Sequence, residues 1–468
     1  MSLPQLPWTG ERMVPHASDL ATELYHWQRY LFFRPWYEHA KVVDAASGEG
    51  YGSNYASVFA QSVVGVDLCA QSVAHGSERY PEVKFVRGDV CEFDYSSADL
   101  VISFETIEHL PDPEAFLGAL RSCSGRIVIS TPNRKTHSPG NEISDKPLNQ
   151  FHTVEWTPLE FAELIQKHFG DRSVRFLSQQ MEWPGRIVEG LDDDAMYCIA
   201  VIGDGELPVW PTIGLAMPTV DNPGMANDTI LNLSRFYPGQ LKFAVTLNGS
   251  NESTKQKLRD LSKAMPSMVQ LIESETNLGY GQGANRALHV LLNENLDFYG
   301  VINDDVVPAV DCLNEMVNAM LQLRSQGLNP GMIGPVSNNV NGLQQVDIGA
   351  FNDIRSMHFR AETWHRQHHN SADQAIQVRG LFLLMTPECL DAIGGFDPIF
   401  GIGNFEDDDL NLRCRLAGYS LWIARGAFLF HHGSKTFTDL KVDYSANIQR
   451  NLPGSGAFSR VTNGSLLT

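Results

Sequence analysis

Four consecutive carboxylates, Glu406-Asp407-Asp408-Asp409, follow Gly401-Ile402-Gly403-Asn404-Phe405; past the apolar run Phe428-Leu429-Phe430 comes His431-His432-Gly433-Ser434. Neighbouring acids repel, so such a row calls for compensating donors or a cation. A carboxylate at a helix start, beside a metal-held phosphate, can take the proton of an incoming hydroxyl. The same residues also suit a plain helix start: Asn404 can cap, acids favour the first turn, and Leu410, Leu416 and Ala417 supply a buried stripe. Residue types alone leave both readings open.

Two further clusters can do chemistry. Asn303-Asp304-Asp305 ends the apolar run Tyr299-Gly300-Val301-Ile302. Adjacent carboxylates there suit a hard cation, magnesium or manganese, that in turn holds a diphosphate, although Asp-Asp after a strand is also a turn signal. Far upstream, Asp44-Ala45-Ala46-Ser47-Gly48-Glu49-Gly50-Tyr51-Gly52 follows Val42-Val43. Glycines at alternate positions let backbone approach a ligand, and the helix that follows presents free amides. Asp67 ends the next apolar run, where it can take ribose hydroxyls, and Asp89 the one after, where it can face an adenine. A dinucleotide fingerprint, G-x-G-x-x-G, needs glycine at position 53, which is Ser53.

The elements that must position these groups follow from hydrophobic patterning. In the first half, apolar runs near 42–43, 63–66, 83–86, 100–104, 126–130 and 196–201 alternate with helical patterns after a helix near 21–33. Such alternation predicts a mostly parallel sheet with helices on both faces, binding ligands at its strands' carboxyl ends. The turn formers Gly203-Asp204-Gly205-Glu206-Leu207-Pro208 break an edge strand, so the expected domains are 1–205 and 206–468. The second half repeats the pattern, with strands near 213–219, 243–247, 269–272 and 299–302 and a helix near 227–236. Residues 341–371, with His358, His365, His368 and His369, read as an irregular loop, solvated or facing the acceptor, and the tail after Tyr444 as loosely ordered or an interaction arm.

Composition narrows the function. At 468 residues and 43% hydrophobic, the chain can bury two full-sized cores. A net charge of -20 without basic runs argues against nucleic acid or an anionic membrane as a general partner. Seven scattered cysteines without a Cys-x-x-Cys pair point to reduced thiols in a cytoplasmic protein. With no apolar run of membrane-spanning length and no signal-peptide core, a membrane-bound substrate would be met peripherally, from the inner face.

The Gly48-x-Gly50-x-Gly52 spacing resembles class I S-adenosylmethionine-dependent methyltransferases. So do Thr9-Gly10-Glu11-Arg12, Arg29-Tyr30-Leu31-Phe32, Ile102-Ser103-Phe104-Glu105-Thr106-Ile107-Glu108-His109-Leu110 and Phe151-His152-Thr153-Val154-Glu155-Trp156-Thr157. The resemblance implies a Rossmann-like, seven-stranded α/β fold with S-adenosylmethionine as cofactor. It places Asp44, Gly48, Gly50 and Gly52 at the methionine end, Asp67 and Leu68 at the ribose, Asp89 and Val90 at the adenine, and Glu105 in the same site. His109 and His152 are the candidate bases for an oxygen acceptor. Glu105, Glu108 and His109 would share one face if a helix begins there. Some methyltransferases hold a divalent metal on such a set, and helix-start acids beside a packed histidine are the plainer meaning.

The second-half segments resemble, in order, an inverting nucleotide-sugar glycosyltransferase of the GT-A fold, family two. Carried over by position, Thr219 and Asn248 face the nucleotide base, and Asn277, Gly279, Gly283 and Asn285 the nucleotide and diphosphate. Asp304, Arg379, Gly380 and Glu406 join the substrate site. Asp305 and His431, or His432 in its place, hold the cation, magnesium or manganese, and Asp407 is the base. Asn248 stands where many relatives have aspartate, and Asn303 opens the acidic triplet, which weakens nucleotide identity more than activity. The resulting expectation is a bifunctional enzyme using a UDP- or dTDP-linked sugar and S-adenosylmethionine on a glycan or lipid-linked glycan in surface polysaccharide synthesis. The competing accounts make one domain a silent binding module, or the first half a nicotinamide oxidoreductase.

Overall fold

The structure is a computed structural model in which residue 6, residues 13–15 and residues 18–433 are described. The segment Thr9-Gly10-Glu11-Arg12 and the tail after Tyr444 lie outside the described residues. The chain divides into two compact units, Met1–Trp210 and Pro211–Thr468. No helix among the described residues is long and apolar enough to cross a membrane.

In the first unit the strands are β1 (Lys41–Ala45), β2 (Ser62–Asp67), β3 (Lys84–Arg87), β4 (Leu100–Phe104), β5 (Arg126–Pro132), β6 (Val174–Gln179), β7 (Ile187–Glu189) and β8 (Tyr197–Ile202). They form one sheet in the order β3-β2-β1-β4-β5-β8-β6-β7, parallel from β3 to β5 and antiparallel beyond. Every residue of β4 and β8 is buried, as expected where helices cover both faces. The helix Pro158–Phe169 does part of that covering. A capping box between Thr157 and Glu160 starts it, and Phe161, Ile165 and Phe169 join the core of Ile127, Ile129 and Ala200.

Two expectations change here. The strand ending before Gly203 is interior, between β5 and β6, rather than an edge. The short β7, whose Ile187 alone is buried, adds an eighth strand that local hydrophobicity did not signal.

The second unit contains β9 (Ile213–Thr219), β10 (Leu241–Asn248), β11 (Val269–Ser274), β12 (Phe298–Ile302), β13 (Val306–Pro308), β14 (Pro330–Ser337), β15 (Ala372–Ala375), β16 (Phe382–Met385) and β17 (Ser420–His431). The sheet order is β11-β10-β9-β12-β16-β14-β17-β13, with β15 on β17. Strands β9 to β12 pair in parallel, whereas β16 runs antiparallel to β12, with Ile302 opposite Phe382. The long β17 returns His431 to a position opposite Val306. Register thus gathers the ends of β12 and β17 and the start of β16 at one place.

Residues 341–371 are irregular only as far as Asp353. Ile354–His368 is a helix, opened by a capping box between Asp353 and Ser356, and it buries Met357, Ala361 and His365, one turn apart. His365 lies 3.3 Å from Glu315 and 3.9 Å from Asp311, and the Trp364 and His368 rings stack at 3.8 Å. Its polar composition hid the stripe, though the cap and the four-residue spacing are both present in the sequence. Met357→Ala is expected to destabilise the second unit by about 2–5 kcal/mol, read as a lowered urea midpoint, whereas a solvated loop would tolerate it.

Candidate active sites

In the first unit the strand order reverses between β1 and β4, where α/β sheets bind ligands. A cavity of about 770 Å³ lies there, and Gly48, Asp67, Leu68, Asp89, Val90, Glu105, His109 and His152 all line it. Asp67 accepts from the Gly48 amide at 2.9 Å and the Cys69 amide at 2.8 Å, so it ties the β1 and β2 loops together. Asp89 accepts from the Cys91 amide at 2.9 Å. Leu68, 64% exposed on the wall, offers an apolar face beside Asp67 on which a flat ring can lie.

Asp44, Gly50 and Gly52 do not line that cavity. Asp44 is buried behind it, accepting from Ser53 Oγ at 2.6 Å and Tyr30 OH at 3.3 Å, and burial pushes its carboxyl up to about 6 against those two bonds. A Cβ on Gly52 would stand 2.0 Å from the Tyr30 ring, and one on Gly50 would meet Phe85 at 2.6 Å. These two glycines make room for aromatic packing. Gly48, at φ +58° with open space around its Cβ position, is the glycine of the motif whose freedom shapes the cavity wall.

The helix Leu20–Phe32 contributes His26 and Tyr30 to the wall, and Asp19 caps it by accepting from the Thr22 amide. Burial, with Arg29 nearby, drives the His26 pKa well below its ordinary value. Its Nδ1 lies 3.1 Å from Tyr51 OH. Arg29 sits over the Tyr197 ring and 3.5 Å from Glu105, whose Oε1 accepts from Ser130 Oγ at 3.0 Å.

Glu105, at φ +55°, precedes a short 3-10 turn, Ile107–His109, so it does not share a helical face with Glu108 and His109. His152 takes its place. One ligating atom each of Glu108, His109 and His152 lie within 4.8 Å of one another, and the two imidazoles meet edge-on at 4.8 Å. Burial, reinforced by Glu105, holds the Glu108 carboxyl well above the usual carboxylate range.

In the second unit each carboxylate of the acidic row has its own surroundings. Asp407 accepts from the Gly380 amide at 3.2 Å and lies 3.8 Å from Arg379; Arg379 is 3.3 Å from Asp408; Asp409 pairs with Arg413 at 2.8 Å. Glu406 is held up at about 8 by burial and by Asp407. Burial also raises Asp407, with Arg379 and the Gly380 amide opposing, and lifts Asp408 to about 6. Asn404 is not the cap: Phe405 occupies that position, both residues are left-handed at φ near +72°, and no side chain caps the helix Glu406–Leu416. Leu410 is buried but Leu416 is 71% exposed, so the supposed stripe fails. Strained backbone and separately held acids favour a positioned site over a simple helix start.

The acids of β12 meet this row through Gly380. The Asn303 amide donates to Leu381 O at 3.0 Å, and Tyr280 OH donates to Gly380 O at 2.6 Å. Tyr280 is held well above its ordinary pKa by burial first and then by Glu406, Asp407, Asp305 and Asp304, so all four acids act on one phenol. Asp304 accepts from Thr219 Oγ1 at 2.6 Å, and burial pushes it up to about 7. His431 Nε2 lies 3.4 Å from Asp305, while Nδ1 is 2.7 Å from Asn339 O. A carbonyl only accepts, so Nδ1 donates to Asn339 O, and Nε2 faces the Asp305 carboxylate, to which it donates when protonated. Burial lowers the His431 pKa, and Asp305 more than restores it. This nitrogen and oxygen pair fits a divalent cation. His432 is exposed, its amide donating to Asp305 O.

Asn277, Gly279, Gly283 and Asn285 act as braces. Asn285 donates to Phe396 O at 2.7 Å and accepts from its amide at 2.8 Å. A Cβ on Gly279, at φ +85°, would meet Gly401 O at 2.0 Å, and one on Gly283 would meet Asn248 at 3.0 Å. Asn248 Nδ2 donates to Asn277 Oδ1 and to Gly279 O, both at 3.1 Å, and its Oδ1 accepts from the Leu278 amide at 2.8 Å. A groove of about 600 Å³ beside Asn285, Arg286 and His289 touches none of the acids.

Comparison with known proteins agrees with both halves. A family model described as a methyltransferase domain matches residues 43–124, and one described as glycosyltransferase-like family 2 matches residues 211–445, just over half the chain. The chain belongs to glycosyltransferase-like family 2. It is a fusion, since its first unit is similar to probable S-adenosylmethionine-dependent methyltransferases. One from Mycolicibacterium smegmatis is 39% identical over 171 residues, covering 34% of this chain and 64% of that protein. One from Mycobacterium tuberculosis is 37% identical over 172 residues, covering 34% and 60%. Tocopherol O-methyltransferase of Arabidopsis thaliana is 31% identical over 155 residues, covering 27% and 43%. The chain thus spans about three fifths of the length of the two mycobacterial relatives.

In this family 2 member, sequence reasoning missed Tyr280, although it directly follows the predicted Gly279, and Asn339, whose carbonyl orients His431. It also missed Tyr51, which stands inside the glycine motif, and His26, which no motif marks, in the first cavity. Asn248→Asp would set a carboxylate against Gly279 O and Asn277 Oδ1. It is expected to destabilise the unit by about 1–3 kcal/mol in urea unfolding. S-adenosylhomocysteine should bind the full chain in calorimetry and NAD should not, and Asp67→Ala should weaken that binding at least about tenfold, the loss of roughly 1.4 kcal/mol of hydrogen bonding.

Proposed function

We propose that the chain transfers a sugar from a UDP- or dTDP-linked donor, with inversion, in its second unit, and a methyl group from S-adenosylmethionine in its first. The acceptor in this reading is a glycan or lipid-linked glycan of a surface polysaccharide, met in the cytoplasm. The observation that carries it is the Asp407 carboxylate, held by the Gly380 amide and acting on the same Tyr280 phenol as Asp305, which lies 3.4 Å from His431.

Asp305 and His431 would hold a divalent cation, magnesium or manganese. When bound, it supplies positive charge against the diphosphate that leaves. The chain's own residues do the rest. Thr219, through Asp304, and Asn248, through the 277–279 turn, shape the floor on which a nucleotide rests. Arg379, between Asp407 and Asp408, keeps Asp407 aimed while its raised pKa makes it a better proton acceptor than a solvated aspartate. As the acceptor hydroxyl attacks the anomeric carbon from the face opposite the diphosphate, its proton passes to Asp407 Oδ. In the first cavity, methyl transfer needs an oxygen aligned with the sulfonium carbon, and alignment supplies much of the rate. The name of the similar tocopherol O-methyltransferase supports an oxygen acceptor.

Asp407→Asn is expected to lower sugar transfer about 10²- to 10⁴-fold while donor binding persists. Undiminished turnover in that variant removes the assignment. A base with a raised pKa is lost earlier on acidification, so the acid limb of kcat/KM should lie above the ordinary aspartate range of about 3.9. That limb should reflect Glu406, Asp408 and Arg379, which face Asp407, and vanish in Asp407→Asn. Glycans from cells with and without the gene, compared by mass spectrometry, should differ by one sugar and one methyl group.

A further inference from the structure

Tyr280 is fastened to both segments that hold Asp407. It opens the helix Tyr280–Leu291 directly after Gly279, and its ring packs edge-on against Phe396 at 5.9 Å. Its backbone amide donates to Ile402 O at 3.1 Å, on the segment leading into the helix Glu406–Leu416, and its hydroxyl donates to Gly380 O at 2.6 Å. The Gly380 amide in turn donates to Asp407 Oδ2 at 3.2 Å, and a Cβ on Gly380 would stand 3.4 Å from Asp407 Cβ. A glycine joins two peptide planes that turn freely about it. The neighbours are tied elsewhere: the Arg379 amide donates to Gln344 Oε1 at 2.7 Å, and Leu381 O accepts from the Asn303 amide at 3.0 Å. That leaves the plane of the Gly380 amide to Asp407 and the plane of the Gly380 carbonyl to Tyr280.

We propose that Tyr280 is a positioning residue of the sugar transfer: by holding the Gly380 carbonyl it keeps the Gly380 amide aimed at Asp407, in register with the 277–279 turn beneath the nucleotide. Four acids act on the phenol, Glu406, Asp407, Asp305 and Asp304, yet its proton goes to a neutral carbonyl. Burial and those acids hold Tyr280 well above its ordinary pKa, so the hydroxyl keeps that proton across the range in which Asp407 titrates.

The inference rests on the reading of Asp407 as the base and deepens it. The Gly380 amide lowers the Asp407 pKa, so an amide that swings away leaves a carboxylate that is both misaimed and protonated at higher pH. The other groups facing Asp407, namely Glu406 and Asp408 on its own helix and Arg379 beside Gly380, stay in place when only the Tyr280 hydroxyl is removed. Loss of that hydroxyl therefore acts on the proton transfer and spares the floor formed through Asp304 and Asn248.

The test uses the full chain with UDP-glucose, UDP-galactose, UDP-N-acetylglucosamine and dTDP-glucose, each with manganese and with water as the acceptor; the donor that the parent chain hydrolyses fastest is carried forward. Tyr280→Phe keeps the ring against Phe396. It is expected to lower kcat about three- to tenfold with donor KM within about twofold, and to move the acid limb of kcat/KM to higher pH. Tyr280→para-aminophenylalanine, which returns a donor to the same place, should restore both. An unchanged kcat and acid limb in folded Tyr280→Phe overturn the proposal, as does a rise in donor KM that accounts for the whole loss. Should Tyr280→Phe unfold, hydrogen exchange in the parent chain decides: UDP or dTDP with manganese should slow the 277–283 turn and the 376–385 segment together, and a slowed turn beside an unchanged segment overturns the link. A parent chain that hydrolyses a donor while Tyr280→Phe behaves like it sinks this inference alone, whereas one that hydrolyses none of the donors sinks the sugar-transfer reading as well.

Discussion

A carboxylate removed from water must find donors or a cation, and both units are arranged around that demand. In the first, Asp67 is satisfied by two loop amides and Asp44 by Ser53 and Tyr30. In the second, Asp304 has Thr219 and Asp407 has the Gly380 amide. Several of these bonds do double duty: Asp67 fastens the loop after β1 to the end of β2, Asp407 joins the helix Glu406–Leu416 to the Gly380 backbone, and Asp44 ties β1 to two helices. Removing a partner would leave a buried acceptor unmatched and free a loop at once.

The sheets explain why the acids gather where they do. Strands covered on both faces cannot carry polar side chains along their length, so polar residues collect beyond the strand ends. β4, β9 and β12 are buried throughout, and the residues that follow β4 and β12 begin with Glu105 and Asn303. In the second unit antiparallel β16 adds what a parallel sheet lacks. It brings the Gly380 backbone beside the end of β12, giving Asp407 an amide to accept from and Tyr280 a carbonyl to donate to. The three segments involved lie far apart in the chain and meet through strand pairing.

Much of this was legible in residue order. Long apolar runs bounded by turn formers marked β1, β2, β4, β5, β9, β10 and β12, because a strand buried on both faces has no other composition available. The strand-end residues Asp67, Asp89, Asn303 and Asp305 followed directly from those limits. Elements whose burial depends on distant partners were hidden: β6 and β7, and the helix Ile354–His368, whose inward face is Met357, Ala361 and His365 amid polar neighbours. Gly50 and Gly52 show the same limit at single residues. Spacing marked them as glycines with a purpose, but that purpose is set by Tyr30 and Phe85, which the chain brings in from elsewhere.

The sequence by itself determined two α/β units, the family of the second, the first unit's similarity to methyltransferases, and the strand ends at which their polar residues collect, since these rest on local hydrophobic runs and short motifs. Only the tertiary structure decided which of those residues face a common space. It set Asp44 behind the first cavity rather than in it, replaced Glu105 by His152 beside Glu108 and His109, and turned His431 Nε2 toward Asp305 through the Asn339 carbonyl. The physical reason is that a side chain's direction depends on the partner its polar atoms find. Several of those partners come from segments 25 to 111 residues away, which no local pattern can place.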